Sequence, residues 1–295
     1  DLKARELGLP LAPGASIHLP PNIAGFIGAD HVAMLLAVGA EPEQPTLAID
    51  IGTNTEISLL SPGRPAISVS CASGPAFEGY HIRHGVRARA GAIEKVQILA
   101  AGVLCQTIGQ APPNGICGSG ILDVVAQLHL AGAVSDNGRL EIGAHPGVRQ
   151  GEQAREFVLV EADPTRELKE IVVTQNDIRE ILLAKSAIQT GIQALLAESS
   201  LTPADIGAVV IAGAFGSYIN VANAVAIGLL PPVPLARIQQ VGNAAGIGAK
   251  YLLLSNQKRA QAEYIRTGTR YLELARYPNF SRLFAQNCRL TAGYG

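Results

Sequence analysis

One stretch constrains this chain more than any other. It runs Thr46-Leu47-Ala48-Ile49-Asp50-Ile51-Gly52, then Thr53-Asn54-Thr55, then Glu56-Ile57-Ser58-Leu59-Leu60. The first run predicts a buried strand that ends in a turn, and the last a second strand. Ser61-Pro62-Gly63-Arg64 has turn chemistry, and Pro65 to Cys71 alternates enough for a third strand, so the whole reads as a meander. A carboxylate at the end of an apolar strand is costly without a partner. Gly52 lets the backbone approach a ligand, where free amides and the hydroxyls of Thr53 and Thr55 can bind phosphate oxygens. Asp50 can hold Mg²⁺ through water, because that ion keeps much of its hydration shell. An ordinary hairpin with Asp at its bend accounts for the same residues equally well.

Three further glycine-rich stretches bear on the same question. Ala208 to Ala212 reads as a fully buried strand that runs into Gly213-Ala214-Phe215-Gly216, a shape on which a flat base or ribose can lie. A tight strand-to-helix turn needs the same glycines. Gly118, Ser119 and Gly120 open a helix that continues to Leu130, with Ile121, Leu122, Val125 and Leu128 on one face. Such an opening can cradle an anion, but the apolar pair that follows at once favours close packing instead. The run Val241 to Ala249 holds Gly242, Gly246 and Gly248. Glycine in a helix sacrifices up to roughly 1 kcal/mol of propensity, so close helix–helix packing at a hinge is expected there.

Elsewhere the pattern predicts a helix from Ile23 to Val38, ended by Pro42 and Pro45. It predicts a hairpin within Arg83 to Leu99 and short strands at Glu156–Val160 and Ile171–Thr174. A long helix capped by Asn176 or Asp177 runs to about Glu198. Asn223–Ile227 and Gly246–Leu254 are expected to be helical, with tail helices near Gln257–Arg266 and Asn279–Asn287. The expected organisation is an irregular segment over 1–21, a nucleotide-binding lobe over 22–256 and a helical tail over 257–295. The least hydrophobic stretch, about Asp136 to Glu156, is expected to be a surface excursion.

With 48% hydrophobic and 16% charged residues and no Trp, the core must be built from Ala, Val, Ile and Leu, which suits helices packed closely on a sheet. The net charge of -1 and the lack of a basic stripe argue against nucleic acid as a partner. No apolar run reaches the roughly 20 residues of a spanning helix, and the charged start Asp1-Leu2-Lys3-Ala4-Arg5-Glu6 is no signal peptide, so a cytoplasmic setting is expected. The first residue is Asp, which suggests a piece of a longer polypeptide. Cys71, Cys105, Cys117 and Cys288 form no C-x-x-C pair and read as buried thiols. His81 and His84 flank Arg83; a metal site with Cys71 is conceivable, and polar surface histidines are the simpler account. The absence of a G-x-x-x-x-G-K-[ST] loop excludes a P-loop ATPase, and no G-x-S-x-G elbow points to a serine hydrolase.

Taken in order, these motifs resemble the actin, sugar-kinase and heat-shock chaperone (ASKHA) superfamily. The resemblance implies an α/β, ribonuclease H-like (actin-like ATPase) fold with a mixed sheet flanked by helices. It implies phosphate binding by Asp50, Gly52, Thr53, Asn54 and Thr55, with Mg²⁺ on Asp50, and adenosine binding by Gly213, Ala214, Phe215 and Gly216. Ala214 stands where a second Gly is common, while Gly118–Asp123 and Gly242–Gly248 are similar to the connecting segments. Asn22 to Asp30, Ser73 to Gly79 and Thr174 to Arg179 narrow the resemblance to the reductive activators of corrinoid proteins, from about Leu19 to Gly248. That family implies an upstream [2Fe-2S] domain, ATP-dependent reduction of Co(II) corrinoid to Co(I), and a corrinoid protein of a methyltransferase system as partner, with a homodimer left open. An earlier phosphate motif of the family is absent, so Asp50 belongs to the second phosphate loop, the chain holds half of the ATP site, and alone it is expected to be inactive. Gly74, Phe77, Glu78, Gly118, Ser119 and Gly120 are the further cleft candidates. Two other readings stay open: a small-molecule kinase of the superfamily, and a non-catalytic interaction module of the same fold.

Overall fold

The computed structural model describes residues 1–295 apart from Ala101, Ala214, Ala292, Gly293 and Gly295. Its centre is a six-stranded sheet. The strands Thr46–Ile51, Thr55–Leu60 and Ala66–Cys71 form the antiparallel meander that the turn chemistry predicts. Ala208–Ala212 adds in parallel to the other side of Thr46–Ile51, and Ile238–Gly242 adds in parallel to that. Thr269–Tyr271 pairs in parallel with the far edge of the meander. This mixed order is the ribonuclease H-like arrangement that the resemblance implies.

The helices are α1 (Ala29–Val38), α2 (Gly118–Leu130), α3 (Gln175–Glu198), α4 (Val221–Ala226), α5 (Ala244–Leu254), α6 (Asn256–Gly268) and α7 (Phe280–Asn287). Strand periodicity divides the core between the two faces of the sheet. Ala48, Leu60 and Ala212 point toward α1, α5 and α6, where Val32, Met34, Leu35, Leu252 and Ile265 are buried. Leu47, Ile49, Ile57, Leu59, Val69 and Ile211 point the other way, onto α3 and the larger core it shares with α2. Each fully buried Leu or Ile contributes roughly 1.5–3 kcal/mol relative to exposure. α3 opens with a capping box in which Thr174 and Asp177 each accept from the other's backbone N–H, so Thr174 is the cap, with Asp177 its N3 partner.

Two long insertions sit beside the sheet. Ala92–Leu99 pairs with Gly102–Thr107 and with the short strand Gly115–Ile116, and Arg155–Val160 lies between Val148–Gln150 and Ile171–Thr174. The hairpin expected within Arg83–Leu99 is therefore displaced: its first strand begins at Ala92 and its second lies beyond Leu99. α1 also starts later than its apolar pattern suggests. Ala24 bridges to Ile27 in a tight turn and Gly28 is extended, so the helix begins at Ala29. It ends at Gly39, whose backbone takes a positive φ of 91° and whose N–H caps Leu35 O; Pro42 and Pro45 lie beyond that stop. Near the start, Leu2–Lys3 pairs with Ser16–Ile17. No helix among the described residues is long and apolar enough to cross a membrane.

Candidate functional site

The parallel register sets Ala212 beside Asp50, so the turns after these two strands emerge together at one end of the sheet. Gly213 has φ 89°, a conformation that other residues rarely adopt. A Cβ there would sit 2.7 Å from Asp50 Oδ1 and 2.8 Å from Ile51 O. Glycine is thus required both by the backbone and by the carboxylate it faces. Gly213 N–H donates to Gly242 O at 3.1 Å, bringing a third strand end to the same place, and Gly242 also has a positive φ. Gly216 lies so close beneath Ala212 that a Cβ would be 2.4 Å from its carbonyl oxygen, and Gln240 Nε2 donates to Gly216 O at 2.6 Å. Ala214, expected in the adenosine turn, lies outside the described residues.

The turn after Asp50 is braced from behind. Ile51 pairs with Thr55 and closes the loop over Gly52, Thr53 and Asn54. Thr55 is fully buried, and its hydroxyl lies 2.8 Å from Ser73 Oγ. Ser73 Oγ is within hydrogen-bonding reach of Gly52 O (3.0 Å) and Thr53 O (3.2 Å), while Gly74 N–H donates to Thr53 O at 2.9 Å. Thr53 Oγ1 donates to the Glu78 carboxylate. Gly52, Thr53 and Asn54 therefore present the open side of the turn, and Thr55, Ser73 and Gly74 hold its shape.

Three carboxylates share the α1 side of this end. Asp50 and Glu56 face each other across the antiparallel ladder, and Asp30 stands in the first turn of α1. Burial, reinforced by the charge of Asp30, raises the Asp50 carboxyl from about 3.8 to about 6. Burial likewise pushes Glu56 up to about 7; Asp30 and Asp50 add to this, and the hydrogen bond from Ser70 at 3.1 Å opposes it. Among the described residues no cation forms an ion pair with Asp30, Asp50 or Glu56. Beneath them His31 is buried with Nε2 2.7 Å from Ser58 Oγ, and desolvation lowers it to about 4, so it stays neutral.

A cavity of about 540 Å³ opens next to these turns. Phe77, Glu78, Gly118, Ser119 and Phe215 line it, together with Tyr218. Phe77 and Phe215 stack with centroids 4.5 Å apart and planes inclined by 19°. The glycines at the start of α2 serve close packing, as expected: a Cβ on Gly118 would sit 1.7 Å from Phe77 O, and one on Gly120 would sit 2.0 Å from Ile93 O. Gly248 does the same in α5, where a Cβ would lie 1.8 Å from Ala33 O of α1. A slightly larger cavity, about 590 Å³, lies at the opposite end of the meander around Leu35, Leu60 and Ile265.

His81 is exposed and 3.8 Å from Glu180, while His84 is partly buried and its pKa is lowered, first by desolvation and then by Arg83. The four cysteines are free thiols, and no group of three or more His, Cys, Asp or Glu among the described residues is placed to hold a metal. Sequence reasoning passed over Glu56, Asp30, Ser73 and Tyr218. For Glu56 a signal existed: opposed positions across a tight hairpin share a face, so a carboxylate six residues after Asp50 had to stand beside it.

Comparison with known proteins bears on the fold and the family. The family described as the C-terminal domain of RACo, the ASKHA domain, matches residues 44–293, and that described as the RACo middle region matches residues 1–42. "Corrinoid activation enzyme RamQ" of Eubacterium limosum is 38% identical over 97% of this chain and 49% of its own length. "[Co(II) methylated amine-specific corrinoid protein] reductase" of Methanosarcina barkeri is 27% identical over 82% of the chain and 45% of its own length. A solved structure, "Reductive activator for corrinoid,iron-sulfur protein", superposes with a TM-score of 0.87 at 37% identity, covering 98% of this chain and 46% of that one. The chain thus spans about half the length of the curated relatives it matches.

Proposed function

This chain belongs to the family of RACo C-terminal ASKHA domains, and we propose that it is the nucleotide-binding lobe of a protein that activates a corrinoid protein. One observation carries the reading: the turns after Asp50 and Ala212 emerge side by side, and Gly213 leaves the Asp50 carboxylate uncovered. The residues fit Mg-ATP on this ground. A half-buried carboxylate without a cationic partner suits a hydrated Mg²⁺, and the open amides of Gly52, Thr53 and Asn54 suit phosphate oxygens. Asp50 would hold the ion through water, Gly213 and Phe215 would carry the adenosine, and Glu78 would orient Thr53. When bound, Mg-ATP supplies the free energy that makes reduction of Co(II) corrinoid to Co(I) possible.

The electron for that step comes, in this reading, from a [2Fe-2S] domain elsewhere in the polypeptide, and the partner is the corrinoid protein of a methyltransferase system. What this lobe contributes is a ligand-dependent position: nucleotide shifts a conformational equilibrium only by its differential affinity for the two states. Gly248 against Ala33 places α1 and α5 in unusually close contact next to the carboxylates, where such a shift can be transmitted. The test follows the cobalt. A longer form carrying the upstream half, given a reductant and Mg-ATP, is expected to convert the Co(II) absorption of a partner corrinoid protein to that of Co(I). Conversion that proceeds equally without ATP, or that survives Asp50→Asn, would refute the proposal.

A further inference from the structure

Outside the nucleotide turns, a second cavity has a distinctive chemistry. It measures about 450 Å³ and lies between the Ala92–Thr107 hairpin and the α2–α4 pair. Five carboxamides line it: Gln97, Gln106, Gln127, Asn220 and Asn223. Its floor is fixed. Asn223, 5% exposed, donates to the buried Asp123 carboxylate and accepts from Gln127 Nε2 at 3.2 Å, and Asp123 also accepts from Val96 N–H at 2.7 Å. Its walls keep free valences. The side chain of Gln97, a residue whose backbone belongs to the ladder opposite Leu104, makes no hydrogen bond to another described residue; Asn220 uses Oδ1 to cap α4 and keeps Nδ2, while Gln106 donates to Glu94 and keeps Oε1. Gln127 likewise keeps Oε1.

The charges narrow the ligand. Asp123 and Lys95 are the only charged groups in the lining, of opposite sign, and burial raises the Asp123 pKa. A pocket without net charge gives no purchase to a phosphate or a metal ion. Paired free donors and acceptors on carboxamides match the donor and acceptor of another carboxamide. Asn223, held on both sides, fixes the depth to which such a group can enter.

We propose that this pocket receives carboxamide side chains of the corrinoid, whose ring is fringed by them, so that the lobe reads the cofactor of its partner directly. The inference rests on the proposed corrinoid partner and is separate from the nucleotide turns. The probe is cobinamide, followed by visible absorption and calorimetry against this chain, with cobyrinic acid, which has carboxylates where cobinamide has amides, as the contrast. Saturable binding of cobinamide with at least tenfold preference over cobyrinic acid is expected. The combined variant Gln97→Leu, Gln106→Leu, Asn220→Ser should weaken cobinamide by about tenfold, since each lost hydrogen bond is worth a few-fold. Serine preserves the α4 cap, and a melting curve verifies folding. Equal binding of the two corrinoids, an unchanged affinity in the variant, or no binding by the unmodified chain would overturn the inference. A pull-down of a holo corrinoid protein by the longer form separates the two ideas. If unmodified protein and variant capture it equally, the pocket assignment fails and the corrinoid partner stands; if neither captures it, the partner reading fails as well.

Discussion

Gly248→Ala pits two effects of opposite sign against each other. In an isolated helix the change is favourable by about 1 kcal/mol, because Ala loses less backbone freedom than Gly. In α5 the new methyl would lie 1.8 Å from Ala33 O, 2.4 Å from Ala33 C and 2.8 Å from Ala33 Cα, where ordinary contact begins at 3.4 Å. The obstacle is backbone, which cannot rotate away. Relief therefore needs α1 and α5 to part by 3.4 − 1.8 = 1.6 Å at this point. Overpacking of this kind costs about 1–3 kcal/mol, and a gap of even ~0.5–1 Å forfeits a quarter to a half of each dispersion contact along the seam. The seam includes Val32, Leu36, Ala244 and Leu252. With the dispersion loss offsetting the propensity gain, a net destabilisation of about 1–3 kcal/mol is expected, and at roughly 2–4 °C per kcal/mol the melting temperature falls by about 2–12 °C. Gly268→Ala, at the end of α6 with nothing within 4 Å of its Cβ, serves as the control and should be neutral or slightly stabilising. Differential scanning calorimetry reads both. A Gly248→Ala protein that melts at or above the parent would refute the close-contact account of α1 and α5.

Asp50→Asn should stabilise the fold while abolishing nucleotide binding. The Asp50 carboxyl is raised from about 3.8 to about 6, so the native state binds more protons than the unfolded one across that window and stability falls as pH rises through it. A tenfold change in proton affinity is worth about 1.4 kcal/mol; with solvent reaching a half-buried group, a gain of about 1–2 kcal/mol for Asn at pH 7, vanishing near pH 4, is expected in urea titrations. A gain independent of pH would refute the electrostatic reading. Lys185→Met tests the tail: the buried Lys185 ammonium donates to Asn287 O at 2.9 Å and to Arg289 O, and its loss removes both hydrogen bonds. A cost of about 1–3 kcal/mol and faster proteolysis after α7 are expected; unchanged proteolysis would contradict the role. Thr174→Ala removes the cap of α3 and should cost about 1 kcal/mol by chemical denaturation, with no change in nucleotide affinity.

Local chemistry carries much of this fold into the sequence, and long-range pairing does not. Gly118–Leu130, Ile171–Thr174 and Ala208–Ala212 lie where pattern and glycine punctuation place them. The helix read as Ile23–Val38 is overextended because apolar spacing outweighs Gly25 and Gly28, which build a turn before Ala29. The Arg83–Leu99 hairpin fails for a related reason: Arg83 to Gly91 alternates, but Val86 N–H donates to Ile116 O and Gly91 N–H to Ile108 O, so the segment is held by partners far along the chain. The Asp50 turn is legible as a motif. Its surroundings are not. That Gly213 faces the Asp50 carboxylate, that Thr53 donates to Glu78 and that Phe77 stacks on Phe215 all depend on the register between strands and loops distant in the chain, which no local pattern encodes.

The central claim is that the turns after Asp50 and Ala212 form one nucleotide site. Calorimetric titration with Mg-ATP tests it most directly, on this chain and on a longer form carrying the upstream half, each with Asp50→Asn and Gly213→Ala. The account predicts saturable binding by the longer form, weak or none by this chain alone, and loss with either substitution in protein that still melts cooperatively. Binding that survives both substitutions, or its absence from folded longer protein, would contradict the account.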